Sequence, residues 1–534
     1  MSRTLALLAP PVLAAGLLVP LATAGATPAA PAAQARPDAY RTATGQALQV
    51  GGDGVLRNDR GDLTTVVDHT APAHGSLELN PDGSFRYVPQ DGFTGTDSFT
   101  YSTSDAVDLY RTELPPLATI GGVKITGGAY GSSFTPVPFH RDQYYGLTDR
   151  GPNGSKVEAI PDFTPAIGRF RLRDGKAELL QRIPLRAGDD TPYNGQVNCA
   201  ASTGETILDL QGKVLPCTDT GYDPEGLVAL PDGTFWVSDE YGPLITHFDR
   251  TGRQIGRLGP FDRSLPRELA NRIPNRGMEG LTVTPDGRTL VGIMQSALQQ
   301  PDLTKNPKNV APIRIVTVDL RTLRTHEYLY LLDDPQANGT AASEITALSN
   351  HEFLVDERDG RFEPNAFKKL YRVDIAKATD VGPAASVAGA TYDAGKGGLL
   401  VGGKTIEALV GTSPSATAEQ TLAAAGITVA PKSLHLDLGA LVSTLDPAGG
   451  FFGHDKIEGV ATRDRGRTVI ISNDNDFGID GLQGGTSATP PFALHAKTLP
   501  DGQQDDGEYL AVDTTRVGHP VTTATVTIDV RPRR

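Results

Sequence analysis

One short pattern recurs along the chain and restricts what it can fold into. A glutamate opens an apolar strand, a tight turn reverses the chain, and a second apolar strand ends in acidic residues. The clearest copy runs from Asp223-Pro224-Glu225-Gly226-Leu227 through the turn Pro231-Asp232-Gly233 to Phe235-Trp236-Val237-Ser238-Asp239-Glu240. Pro-Asp-Gly between two apolar runs reads as a β-hairpin. In an antiparallel pair the start of the first strand and the end of the second share one edge, so Glu225 is expected beside Asp239 and Glu240.

Further copies carry Glu279 before Pro285-Asp286-Gly287, Glu344 with a return ending in Asp356-Glu357-Arg358, and Glu458 with a return ending in Asn473-Asp474-Asn475-Asp476. A copy without the glutamate ends in Tyr144-Tyr145-Gly146-Leu147-Thr148-Asp149-Arg150. The four glutamates are 54, 65 and 114 residues apart, the last spacing being about two periods. Paired strands repeating at this interval predict a β-propeller, with six blades expected and residues 382–438 holding either a hidden blade or an Ala- and Gly-rich insertion. Ser415–Ala425 reads as a short helix within that segment. The alternating run Val521–Val530 is expected to close the ring against Leu109–Ile125, since an open ring would expose strand edges.

Composition agrees with an all-β chain. Among 534 residues there are 60 glycines and 40 prolines, with aromatics at 6%. The 63 acidic residues outnumber 49 basic ones, giving net charge −14, which argues against a nucleic-acid surface and suits cation binding. Residues 1–24 read as a secretory signal peptide, with an apolar run from Leu5 to Ala22 and the small-residue site Ala22-Thr23-Ala24. Removal of this segment leaves no stretch able to span a bilayer, so a secreted, extracellular protein is expected. Its two cysteines, Cys199 and Cys217, are then expected to form a disulfide.

After a linker at 25–37, residues 38–106 carry alternation around another Pro-Asp-Gly turn in Ser76-Leu77-Glu78-Leu79-Asn80-Pro81-Asp82-Gly83-Ser84-Phe85-Arg86-Tyr87-Val88, again a hairpin. With Gly92-Phe93-Thr94-Gly95-Thr96-Asp97-Ser98-Phe99-Thr100-Tyr101, the segment resembles the bacterial cadherin-like or Ig-like modules of secreted adhesins. That resemblance implies a small β-sandwich preceding a propeller at 107–534, and a contact with a cell surface or matrix.

In a propeller, equivalent positions of successive blades meet around one axis. Glu225, Glu279, Glu344 and Glu458 are therefore expected to converge with the strand-end carboxylates Asp239, Glu240, Asp356 and Asp474. Carboxylates packed together repel unless cations lie between them, and an oxygen-rich set with few histidines favours calcium. Arg150, Arg276 and Arg358 stand beside these acidic signatures, where each is a substrate clamp or a salt-bridge partner. His140 and His454 are the histidines nearest the turns. No Gly-x-Ser-x-Gly elbow, zincin motif or P-loop is found.

The strings Asp149-Arg150-Gly151-Pro152-Asn153, Asp223-Pro224-Glu225-Gly226-Leu227, Ser238-Asp239-Glu240-Tyr241-Gly242, Asn275-Arg276-Gly277-Met278-Glu279-Gly280-Leu281 and Ile457-Glu458-Gly459 resemble the secreted phytase-like family, described as having esterase-like activity. The resemblance implies a calcium-dependent phosphoesterase acting on a small phosphorylated substrate. A carboxylic-ester or lactone hydrolase on the same scaffold and a metal-stabilised binding platform are the alternatives.

Overall fold

Why the hairpins form is visible at their turns. In Pro231-Asp232-Gly233 the glycine takes φ +87°, in the left-handed region that favours glycine, and Asp232 Oδ1 accepts the Thr234 N–H at 2.9 Å. The computed structural model describes residues 33–154, 156–201 and 204–533. The expected signal peptide and most of the expected linker lie outside the described residues. Strands dominate and helices are few. No helix among the described residues is long and apolar enough to cross a membrane.

Five groups of four antiparallel strands follow one another as sheets, the first and fifth joined into one eight-stranded sheet by a parallel bridge between Lys176 and Arg111. The first holds Ser133–Pro136, Gln143–Leu147, Ala166–Arg173 and Lys176–Pro184, and the second Pro224–Ala229, Phe235–Asp239, Ile245–Phe248 and Gln254–Leu258. The third is built from Met278–Val283, Thr289–Met294, Pro312–Asp319 and Thr325–Leu331, and the fourth from Ala341–Ala347, Glu352–Arg358, Lys368–Asp374 and Lys432–Asp437. The fifth combines Ile457–Thr462, Thr468–Asn473 and Glu508–Asp513 with the earlier strand Val107–Arg111. The first strand of each sheet touches that of the next, and the fifth returns to the first, so the inner strands close into a propeller-like ring.

The ring has five sheets among the described residues, one fewer than the six expected. The spacing of 114 residues between Glu344 and Glu458 is one sheet plus an insertion. After Asp374 the chain leaves the fourth sheet and builds strands Ala390–Asp393 and Gly398–Val401 and helices Ile406–Val410 and Ser415–Ala424. These bury Leu399, Ile406, Val410, Ala418 and Leu422 against Leu329 and Leu331 of the third sheet. The chain then returns as Lys432–Asp437 to complete the fourth sheet. The expected short helix is present, while the expected extra blade is not.

Ring closure also differs from expectation. Strand Val107–Arg111 pairs with Glu508–Asp513, Leu109 facing Leu510. The C-terminal strand Thr522–Arg531 instead lies between Asp38–Ala43 and Gly95–Thr103, parallel to the former and antiparallel to the latter. A second sheet of Leu48–Val50, Phe85–Pro89 and Gly75–Leu79 shares with it a core of Phe85, Tyr87, Phe99, Tyr101, Val526 and Ile528. Period-two alternation puts one face of any strand into a core without naming which core. The run 522–531 satisfied the rule in the N-terminal module.

Cys199 and Cys217 are joined as expected. Near the closing strand, His454 is fully buried, with Nδ1 2.9 Å from Asp505 and Nε2 3.0 Å from Glu508, while Arg111 also reaches Glu508 at 2.5 Å. Burial alone would lower the His454 pKa, but Asp505 and Glu508 together raise it from 6.5 to about 9. The folded value lies above the ordinary one. The stabilisation is therefore complete below about pH 6.5 and lost as pH rises through about 9. Thermal unfolding between pH 6 and pH 10 should record this loss, and His454→Gln should flatten it.

Candidate functional site

At the mouth where the hairpins open lies a cavity of about 330 Å³. Its wall follows from strand register. Ser133 faces Leu147, Leu227 faces Val237, Leu281 faces Gly292, Ile345 faces Val355, and Val460 faces Ile471 in the five sheets. Three residues beyond each of these second-strand positions stand Arg150, Glu240, Gln295, Arg358 and Asp474, and all five line the cavity. Each sheet thus contributes one strand-end side chain to the ring.

The first strands add Glu225, Glu279 and Glu458. Each sits at a β-bulge, where pairing slips by one residue between Pro224 and Leu227, Met278 and Leu281, and Ile457 and Val460. A bulge re-aims a side chain, here into the cavity. The glycine that follows each glutamate is needed for close approach. A Cβ on Gly226 would lie 2.6 Å from the Glu279 carbonyl oxygen, and one on Gly280 2.6 Å from Glu344 Cα.

Glu344 does not join them. In its sheet Ile345, one residue on, takes the place that Leu227 and Leu281 hold two residues on. Ser343 therefore matches Glu225, and Glu344 matches Gly226. A one-residue shift turns a side chain to the other side. Glu344 accepts the Ser133 hydroxyl at 2.7 Å, the Leu281 N–H at 3.1 Å and the Ile345 N–H at 2.9 Å, and borders a separate cavity of about 210 Å³.

Asp239 is also outside the cavity lining. It is fully buried, and its Oδ1 accepts the N–H groups of Tyr241 and Gly242 at 2.9 and 3.0 Å, fixing the turn. Asp356 is 1% exposed, lies two residues before Arg358 and does not reach the cavity. Of the eight expected metal-binding residues, Glu225, Glu240, Glu279, Glu458 and Asp474 come together, and Glu344, Asp239 and Asp356 do not.

All three expected arginines line the cavity, in different circumstances. Arg358 is paired with Glu458 and donates to Ser343 Oγ at 3.0 Å. Arg150 lies 3.8 Å from Glu158 and donates to the Tyr241 hydroxyl at 2.8 Å. Arg276 donates to Ser296 Oγ at 3.2 Å and forms no ion pair among the described residues. His454 belongs to the buried network above, and His140 stands 3.2 Å from Arg169, so neither lines the cavity.

Asp149, Asp223, Asp359, Asp476, Lys308 and Lys456 also line the cavity and lie outside the expected set. Asp149 and Asp223 are inside strings already singled out, and Asp476 follows Asp474 at the alternate position, so strand periodicity could have found them. Lys308 arrives on a loop between Met294 and Pro312 with no pattern to announce it.

The cavity wall carries nine carboxylates and five cationic side chains, an excess of four negative charges. Two triads have oxygens within 4.8 Å of one another: Asp223 with Glu225 and Glu240, and Asp149 with Asp474 and Asp476. In the first, burial pushes Glu225 well above the ordinary carboxylate range, and Asp223, Glu279, Glu458 and Glu240 push it further. Burial, followed by the nearby Glu279 and Asp223, does the same to Glu240. Arg150 offsets part of this on Asp223, whose Oδ1 accepts the Arg150 backbone N–H at 3.2 Å, and Arg276 offsets part of it on Glu240. Gln295 Nε2 joins Glu240 Oε1 at 2.8 Å to Glu279 Oε1 at 2.7 Å, leaving Glu279 Oε2 buried without a hydrogen-bond partner. Burial raises Glu279 to about 7. Oxygen donors in excess charge, one of them orphaned, fit a hard divalent cation such as calcium.

Residues 125–477, about two thirds of the chain, match the phytase-like family described as "Esterase-like activity of phytase". The chain belongs to the phytase-like family. Residues 28–113 match the bacterial Ig domain family, in agreement with the expected N-terminal module. A relative from Arthroderma benhamiae named "Uncharacterized secreted protein" is 30% identical over 232 residues, covering 34% of this chain. The chain spans 45% of that relative's length. Among solved structures, a streptogramin B lyase is 11% identical with a TM-score of 0.27, covering 76% of this chain and 97% of its own. Virginiamycin B lyase from Staphylococcus aureus is 13% identical with a TM-score of 0.22, covering 61% and 87%.

Proposed function

We propose that this phytase-like chain is a secreted, calcium-dependent phosphoesterase whose substrate is a small phosphorylated molecule bound in the central cavity. The observation that carries the reading is the buried triad of Asp223, Glu225 and Glu240, sharing one cavity with Arg276 and Lys308, neither of which forms an ion pair among the described residues. A cavity with excess carboxylate repels an anion, so it suits a phosphate only with a cation placed between them. Asp223, Glu225, Glu240 and Glu279 would hold calcium, which when bound supplies charge neutralisation and Lewis-acid polarisation of phosphoryl oxygens.

The chain's own groups do the rest. Arg276 offers a planar fork of N–H donors that matches two phosphate oxygens and forms no ion pair among the described residues. Lys308, exposed at the rim, adds a point charge that draws an anion inward. Arg358 is held by Glu458 and orients that carboxylate.

The test is turnover of phytate and of a generic phosphomonoester by the mature protein, with calcium and with chelator. Chelator-sensitive phosphate release is expected. Turnover of short acyl esters alone would move the assignment to a carboxylic-ester or lactone hydrolase, and no turnover of either would leave a binding platform.

A further inference from the structure

The two acidic triads of the cavity are not equivalent. The triad of Asp149, Asp474 and Asp476 already contains a cation of the protein. Lys456 Nζ lies 3.0 Å from Asp474 Oδ2 and 2.6 Å from Asp476 Oδ1, with its side chain 30% exposed and lining the cavity. Lys497 holds the other oxygen of Asp476 at 2.7 Å from behind, and is itself 1% exposed. Of the three remaining oxygens two accept backbone N–H groups: Asp149 Oδ1 that of Gly151 at 2.8 Å, and Asp474 Oδ1 that of Asp476 at 3.0 Å. No lysine forms an ion pair with Asp223, Glu225 or Glu240 among the described residues; Asp223 Oδ1 accepts the Arg150 backbone N–H at 3.2 Å, and beside the triad Glu279 Oε2 stands buried without a hydrogen-bond partner.

We propose that the ammonium of Lys456 stands permanently where a second metal ion would otherwise be required, so that the cavity takes one calcium ion per chain. The inference rests on the calcium reading given above and adds its stoichiometry and its geometry. Strand Ile457–Thr462 is entered through Lys456, next to the bulge that aims Glu458 into the cavity, so the ammonium is fixed by the same register as the acids it neutralises. A strongly hydrated point charge with three donors can serve two carboxylates and still face the cavity. The bound anion would then meet a metal ion on one side and a protein-borne cation on the other.

The experiment is isothermal titration of calcium into chelator-stripped, full-length mature protein, compared with Lys456→Met and Lys456→Arg. One ion per chain is expected for the unaltered protein and for Lys456→Arg. Two are expected for Lys456→Met, because removal of the ammonium leaves Asp149, Asp474 and Asp476 with Lys497 as their sole close lysine. Two ions in the unaltered chain would overturn the inference while leaving the calcium reading intact, and this arm does not depend on any variant folding. One ion in a folded Lys456→Met would also overturn it. No calcium bound by the unaltered chain would instead remove the calcium reading itself.

Discussion

Glu225→Gln is expected to weaken calcium binding by roughly 100-fold or more, since even outer partners of metal ligands are worth about 10–100-fold and Glu225 stands among the ligands themselves. Phosphoester turnover at limiting calcium should fall by a comparable factor. The metal-free protein should respond in the opposite direction. Burial and the charges of Asp223, Glu279, Glu458 and Glu240 all oppose ionisation of Glu225. Its folded-state pKa is raised, so the ionised form destabilises the metal-free fold increasingly as pH rises above the ordinary carboxylate range. A neutral amide removes that repulsion. In chelator at pH 8 the variant should therefore melt above the unaltered chain, and in excess calcium the order should reverse because the unaltered chain gains binding free energy. Calorimetry in both buffers checks the crossing. A Glu225 with a purely structural role would lower the melting temperature in both.

Deleting residues 520–534 is expected to unfold the N-terminal module and leave the ring of five sheets standing. Strand Thr522–Arg531 is the partner of both Asp38–Ala43 and Gly95–Thr103. It places Val526, Ile528 and Val530, each no more than 1% exposed, in the module's core. Burial of three such side chains is worth roughly 5–9 kcal/mol, comparable with the whole stability of a small domain at about 5–15 kcal/mol. The ring keeps its closure, because that depends on Val107–Arg111 pairing with Glu508–Asp513. Limited proteolysis should cut the shortened chain rapidly between residues 38 and 103 while residues 118–513 resist. Equal protection of both regions would show that the module does not need its C-terminal strand.

What the sequence made legible is local, and what it concealed is a matter of register and of long-range choice. Each hairpin was readable because Pro-Asp-Gly fixes a turn and alternation fixes a strand. The convergence of Glu225, Glu279 and Glu458 was readable because Glu-Gly repeats where an inner strand bulges and its neighbour approaches closely. Glu344 looked equivalent because it too precedes apolar residues. Its follower is Ile345 and not glycine, and that missing glycine was the available sign that its bulge lies one residue earlier. Asp239 and Asp356 close acidic strand ends, but the residue reaching the cavity is the third beyond the paired position, which selects Glu240 and Arg358. The insertion between Asp374 and Lys432 stretched one period to the length of two. The C-terminal strand carried the correct alternation and no information about which sheet it would enter.

Asp223, Glu225, Glu240 and Glu279 are proposed to hold a calcium ion in the cavity, and Arg276 to receive the substrate's phosphate. A crystal structure grown with calcium and inorganic phosphate tests this most directly. Anomalous density is expected among those four carboxylates, with the phosphate between that ion and Arg276. A cavity empty of metal in saturating calcium, or an ion bound by other residues alone, would contradict it.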